Sequence, residues 1–183
     1  MAETMQKVRL QSHARATGAV YLSYFVVAIL GLFLANRKVP AGTVLNGLAP
    51  VLYATVTILL YLLFRPAQPL LSLTAALFSL AGCVNDMLHH LHKGLSGLSS
   101  LVFFGPFCVL LGILILRSQF LPRWLAWPLI VAGIGWLMYL IPAVAHHAKI
   151  VIFPVGFIAE FEFALWLLRG VDETRWPEPR QLA

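Results

Sequence analysis

Residues 150–170 read IVIFPVGFIAEFEFALWLLRG, and the reading of this stretch decides the fold. From Ile150 to Leu168 the run is apolar apart from Glu160 and Glu162, and Arg169 follows it. Crossing the ~30 Å hydrocarbon core of a bilayer takes roughly 20 residues of helix. The run has that length, so it predicts a transmembrane helix that carries two acids into the membrane.

Working outward from it, five more apolar runs precede: 16–35, 45–64, 69–89, 99–116 and 124–144. Their separators suit helix ends: Arg65-Pro66, Gly94-Leu95-Ser96-Gly97, Pro122-Arg123 and His146-His147. The basic flank of the first run (Lys7, Arg9, Arg15) is signal-peptide-like, but the run is too long and no convincing A-x-A cleavage site follows it, so it is expected to stay as a helix. The expectation is an all-α, polytopic bundle of six transmembrane helices filling residues 1–183 as one domain.

Composition agrees. Of 183 residues, 60% are hydrophobic and 11% charged, and mean hydropathy is +0.85. Soluble domains carry about 25% charged residues to cover their surface. The net charge of +6 does not point to nucleic acid, because the basic residues sit singly at the ends of apolar runs and form no basic face. Cys83 and Cys108 both fall within runs and read as small apolar residues.

Lys and Arg set the orientation. Nine of them lie at the N-terminus, the second and fourth loops and the C-terminus; four lie in the other three loops. Both termini are therefore expected to be cytoplasmic, with Trp124 and Trp127 in the inner aromatic belt. No similarity between the two halves suggests a transporter's internal repeat.

Ionisable residues inside spans are costly and default to functional candidates. Asp86, His89, His90 and Lys93 are spaced i, i+3, i+4, i+7, which puts them on one helical face. A carboxylate there can fix an imidazole one turn along. The face also has the look of a partial metal site, but neither H-E-x-x-H nor Glu-x-x-His occurs, so no metal is assigned. A polar helix end reaching the outer interface, with its histidines wetted, explains the same residues.

Glu160 lies about ten residues into its run, ~15 Å deep at 1.5 Å per residue, near the midplane. Gly156 and Ala164, four residues to either side, form a small-residue ridge where a neighbouring helix can approach. Glu160 is thus expected to face the bundle. It is a candidate general acid or proton relay, or else an interhelical hydrogen-bonding group. Glu162 is about 200° further round a regular helix and cannot share its pocket. Arg169 could partly neutralise Glu162 from the inner interface.

Pro50, Pro106, Pro142 and Pro154 fall in the outer halves of their runs. Breaks of this kind are tolerated where a helix lines a cavity or other protein. An outward-opening cavity among helices three to six is expected, floored by Glu160 and rimmed by Asp86 and His90. Trp136, Tyr139, Phe107 and Phe157, with Phe78, Phe103 and Phe104, could line it for a flat apolar ligand or serve only as packing.

Three blocks carry a resemblance. They are Ala14–Leu22 (ARATGAVYL), Arg117–Leu125 (RSQFLPRWL), and Glu160 followed by Ala164–Val171 (ALWLLRGV). Together they resemble a bacterial family of small multi-spanning membrane proteins known only as a domain of unknown function. The resemblance implies a bacterial inner-membrane protein with a family acid at Glu160, and no activity. Glu162 stands where the family would have an apolar residue, and Asp86, His89 and His90 lie outside the blocks. Residues 120–124 alone read as a tight inner turn, with Pro122 between helices and Arg117 and Arg123 as anchors.

The function expected is that of a membrane-embedded enzyme or binding protein acting on a lipophilic small molecule. Glu160, Asp86, His90 and Glu162 would supply general acid/base chemistry of isomerisation or cyclisation type. A proton-coupled carrier and a non-catalytic membrane subunit are the rivals. No cofactor is indicated; the expected partners are the lipid bilayer and a lipophilic ligand, without nucleic acid, and self-association stays open.

Overall fold

The computed structural model describes residues 2–91, 98–118 and 120–172. Lys93, residues 94–97 and Gln119 of the expectations above lie outside them. Six α-helices follow one another: α1 (Ala2–Asn36), α2 (Pro40–Phe64), α3 (Pro69–His90), α4 (Leu101–Ser118), α5 (Ala126–Leu137) and α6 (Pro142–Arg169). One-turn 3₁₀ segments at Arg123–Leu125 and Met138–Leu140 flank α5 and complete its span. All six are long and apolar enough to cross a membrane. The described residues contain no β-strand. The chain is a multi-pass membrane protein.

Each helix packs against its neighbours in sequence, and α6 returns to pack on α1, so the six close into a ring. Small residues set the closest approaches. A Cβ on Gly18 of α1 would lie 2.7 Å from Leu168 N and 2.8 Å from Ala164 O of α6, so the two backbones are in contact there. Gly105 of α4 and Gly133 of α5 stand similarly against each other's backbone. Without a hydrophobic driving force between helices in lipid, such close van der Waals packing is what holds them together. The outward positions, among them Val26, Leu70, Val131 and Ile158, are apolar and exposed, as a lipid-facing surface requires.

One boundary departs from expectation. His146 and His147 are not in a loop but in the first turns of α6. The break falls earlier, at Ile141, which is extended (φ −116°, ψ 96°) because the residue before a proline is pushed out of the helical region. Pro142 therefore opens α6 instead of interrupting a span. His147 satisfies its ring through Nδ1, which donates to Ala143 O at 2.9 Å, so the helix tolerates it. Helices α1 and α2 also begin earlier than their apolar runs, at Ala2 and Pro40.

The three sequence blocks meet at one end of the bundle. Gly18 abuts Ala164 and Leu168. The Val171 amide donates to Gln11 Oε1 at 3.0 Å, and the Asp172 amide donates to Phe120 O at 3.0 Å. Trp124 meets Trp166 edge-on, with centroids 5.4 Å apart. Phe120, Leu121 and Leu125 are buried, while Trp124 is exposed. Gly170, at φ 109°, ends α6 in a conformation that favours glycine. The turn at residues 120–125 thus ties α4 and α5 to the end of α6, and Phe120 also packs on Phe64 of α2 at 5.3 Å.

Candidate functional site

Glu160 sits on the inward face of α6, nine residues from Arg169 and so ~14 Å along the helix from that end. It is 9% exposed. Two phenols converge on one of its oxygens: Tyr21 of α1 donates to Oε2 at 2.6 Å, and Tyr53 of α2 donates to the same atom at 2.9 Å. The two hydroxyls are 3.3 Å apart. The Cys108 thiol of α4 lies 3.7 Å from Oε1. Four helices therefore meet at a single carboxyl.

That arrangement has chemical consequences. Oε2 accepts two hydrogen bonds, which uses its lone pairs, so a proton on this carboxyl resides on Oε1. The phenols are themselves held by aromatic packing. Tyr21 stacks on Phe25 with centroids 5.4 Å apart, and Tyr53 meets Tyr24 at 4.8 Å and Phe104 at 5.0 Å. Their hydroxyls are pre-positioned, as groups at a working site need to be.

Above the carboxyl is a cavity of about 510 Å³, and all six helices contribute to its wall. Glu160, Gly156, Phe157 and Phe153 come from α6, Tyr24 and Phe25 from α1, and Tyr53 from α2. Asp86 and His89 of α3, Leu101 and Phe104 of α4, and Trp136 of α5 complete it, with Ser99 and Ser100 beside Asp86. The volume is in the range of small-molecule sites, and the lining is mostly apolar with few polar groups, as such sites are. Pro50, Pro106 and Pro154 each lie within four residues of a lining residue on their helix.

The polar groups fall at two levels. Glu160 and Tyr53 are deep; Asp86, His89, Ser99 and Ser100 are at the end where residues 91–100 connect α3 to α4. Asn85 pins that connection by donating from Nδ2 to Leu98 O (3.2 Å) and to Ser100 Oγ (3.1 Å). His89 Nδ1 donates to Asn85 O at 2.8 Å, which leaves Nε2 of the neutral ring as an acceptor. No three of His, Cys, Asp and Glu converge as a metal set among the described residues.

The expected residues divide accordingly. Glu160, Asp86, Trp136 and Phe157 line one cavity. His90 does not: it ends α3 with an exposed ring, and His89 is the histidine that joins Asp86 in the cavity wall. Glu162 lies half-buried away from the cavity, as its position round the helix requires, and Arg169 reaches over the Trp166 ring (5.5 Å) instead of toward it. Phe107 is buried behind Tyr53, at 6.1 Å between centroids. Tyr139 backs Trp136 at 6.2 Å and does not reach the cavity. The small-residue ridge is split: Ala164 belongs to the α1 seam, and Gly156 receives the Trp136 indole. Helices α1 and α2, absent from the expected cavity, supply the two phenols.

The fold and its cavity define a multi-pass α-helical membrane protein with a polar centre inside the bundle. The chain belongs to the family described as domain of unknown function (DUF4386), whose profile matches residues 84–170. That match takes in Asp86, Cys108 and Glu160, while Tyr21 and Tyr53 lie ahead of it. An uncharacterized protein of Archaeoglobus fulgidus is 30% identical over 150 residues, which cover 78% of this chain and 91% of that protein. No solved structure matches the chain.

Proposed function

We propose that this protein binds a lipophilic small molecule in the cavity and acts on it by acid/base chemistry from Glu160. The observation that carries the reading is the convergence of the Tyr21 and Tyr53 hydroxyls on Glu160 Oε2 at the floor of an aromatic-walled cavity. A carboxyl with both phenols on one oxygen keeps its other oxygen, which only the weakly donating Cys108 thiol approaches, for proton transfer. Acid-promoted isomerisation or cyclisation suits such a site, because both need a proton delivered in an apolar, water-poor pocket. Asp86 and His89 form the second polar level and would orient the ligand's polar end.

The membrane is a bacterial inner membrane in this reading. The excess of Lys and Arg at the ends of alternate spans (Lys7, Arg9, Arg15, Arg65, Arg117, Arg123 and Arg169) supports cytoplasmic termini. The mouth beside Asp86 then opens outward.

Incubating the detergent-purified protein with a membrane lipid extract, and following the extract by mass spectrometry, tests the reading. Conversion that disappears with Glu160→Gln supports the enzyme. Proton uptake that depends on added extract and occurs only in sealed vesicles, without conversion, favours the carrier.

A further inference from the structure

The seam between α1 and α6 closes at one end and opens at the other. On α1, Gly18, Phe25 and Leu32 follow at seven-residue spacing and so share a stripe. Gly18 abuts the α6 backbone, Phe25 is buried against α6 rings, and Leu32 is exposed. On α6, Ala164, Phe157 and Ile150 follow at the same spacing in the opposite direction. Ala164 is fully buried, Phe157 is 41% exposed and Ile150 is 79% exposed. The two stripes report one geometry: the helices touch at Gly18 and Ala164, meet through aromatic rings at Phe25 and Phe157, and part beyond them.

The parting occurs at the level of the cavity. Phe25 and Phe157, with centroids 5.1 Å apart, are both cavity-lining residues, and so is Phe153, one turn further out and 49% exposed. Phe161 stacks on Phe157 at 5.6 Å and meets Phe25 at 5.6 Å, which completes a sill of three rings below the gap. The residues that flank the gap just above the sill are apolar, Ile29, Leu32 and Phe33 on α1 and Ile150 and Val151 on α6, and the polar Asn36, His146, His147 and Lys149 follow at the outer ends of the two helices. A cleft so lined, in a helix that spans a bilayer, faces acyl chains and not water.

We infer that the cleft between α1 and α6, above the Phe25–Phe157–Phe161 sill, is a lateral entrance through which a hydrocarbon chain passes from the bilayer into the cavity. The inference rests on the ligand-binding reading above and names the class of ligand: an amphiphile with a long apolar chain. Its chain lies along Phe153 and Phe157, and its polar end meets Glu160 or the Asp86–His89 level. A water-soluble ligand would need only the polar mouth, and an apolar cleft would give it nothing.

The test places the full chain in vesicles of phosphatidylcholine with a diazirine midway along one acyl chain. After photolysis, adducts are mapped by mass spectrometry. The expected result is labelling of Tyr24 and of Phe104, which stands on the far wall of the cavity, beside labelling of Ile29 and Leu32. Labelling of Tyr24 and Phe104 persists in Glu160→Gln, because access precedes any chemistry at the acid. Adducts confined to perimeter residues such as Leu70 and Val131, with Tyr24 and Phe104 clean, overturn the entrance and leave the function to be judged by its own experiment. Exclusion of lipid from Ile29 and Leu32 together with a dimeric mass also overturns it, because a second copy then covers the cleft.

Discussion

Tyr21 and Glu160 stand 139 positions apart in the chain and are joined by a 2.6 Å hydrogen bond that ties the first helix to the last. The bond crosses the seam that closes the ring, and Tyr53 adds a second donor from α2 to the same oxygen. The polar centre is thus part of the frame as well as the floor of the cavity.

Tyr21→Phe is expected to lower stability in detergent by about 1 kcal/mol, the usual size of an interhelical polar contact in membranes. Glu160→Leu should cost more, ~2–3 kcal/mol, because it leaves two buried hydroxyls without their acceptor. Because the three residues share one network, the Tyr21→Phe and Glu160→Leu effects should not add. Thermal unfolding of the single and double variants measures this.

Two glycine substitutions should part company. Gly18→Ala forces a Cβ onto the α6 backbone, which has no side chain to swing aside, and should destabilise by about 1–3 kcal/mol. Gly47→Ala, on α2, meets nothing within 4 Å and should be neutral or slightly stabilising. The same unfolding measurement compares them.

Gly156→Ala should reduce ligand binding more than it reduces stability. The added methyl meets the Trp136 indole, and the ring's nearest open space is the cavity. Crowding of the pocket should weaken retention of a co-purifying ligand at least tenfold, about 1.4 kcal/mol, while the protein still elutes as a single folded species.

Glu162→Leu should leave ligand retention and stability near those of the wild type. Glu162 is outside the cavity and no ion pair joins it to Arg169. Loss of the ligand in this variant would mean that α6 turns about its axis in the working protein.

Much of the fold was legible because membrane helices obey length and hydropathy. Ile150–Leu168 could only be a span, and the other five follow the same rule. The misplaced boundary shows the limit of that logic. The polar pair His146-His147 looked like a break, but a histidine can bond back to its own helix, whereas the residue before Pro142 cannot stay helical.

The site was legible in part. An acid at mid-depth beside small residues marked Glu160, and helical spacing marked Asp86 as a rim residue but paired it with His90, whereas His89 is the histidine that lines the cavity. Tyr21 and Tyr53 were not found, since a tyrosine in an apolar run carries no periodic signal. The clue available was that Tyr21 falls inside the Ala14–Leu22 block, and a hydroxyl at that depth must find a partner.

The central claim is that the cavity above Glu160 holds a lipophilic molecule through that acid. Native mass spectrometry of the wild type beside Glu160→Gln, both released from detergent, tests it most directly. The account predicts a bound small-molecule mass on the wild type that is lost or much reduced in Glu160→Gln while both proteins remain folded. An apo mass for both, or an equal ligand load on both, would contradict it.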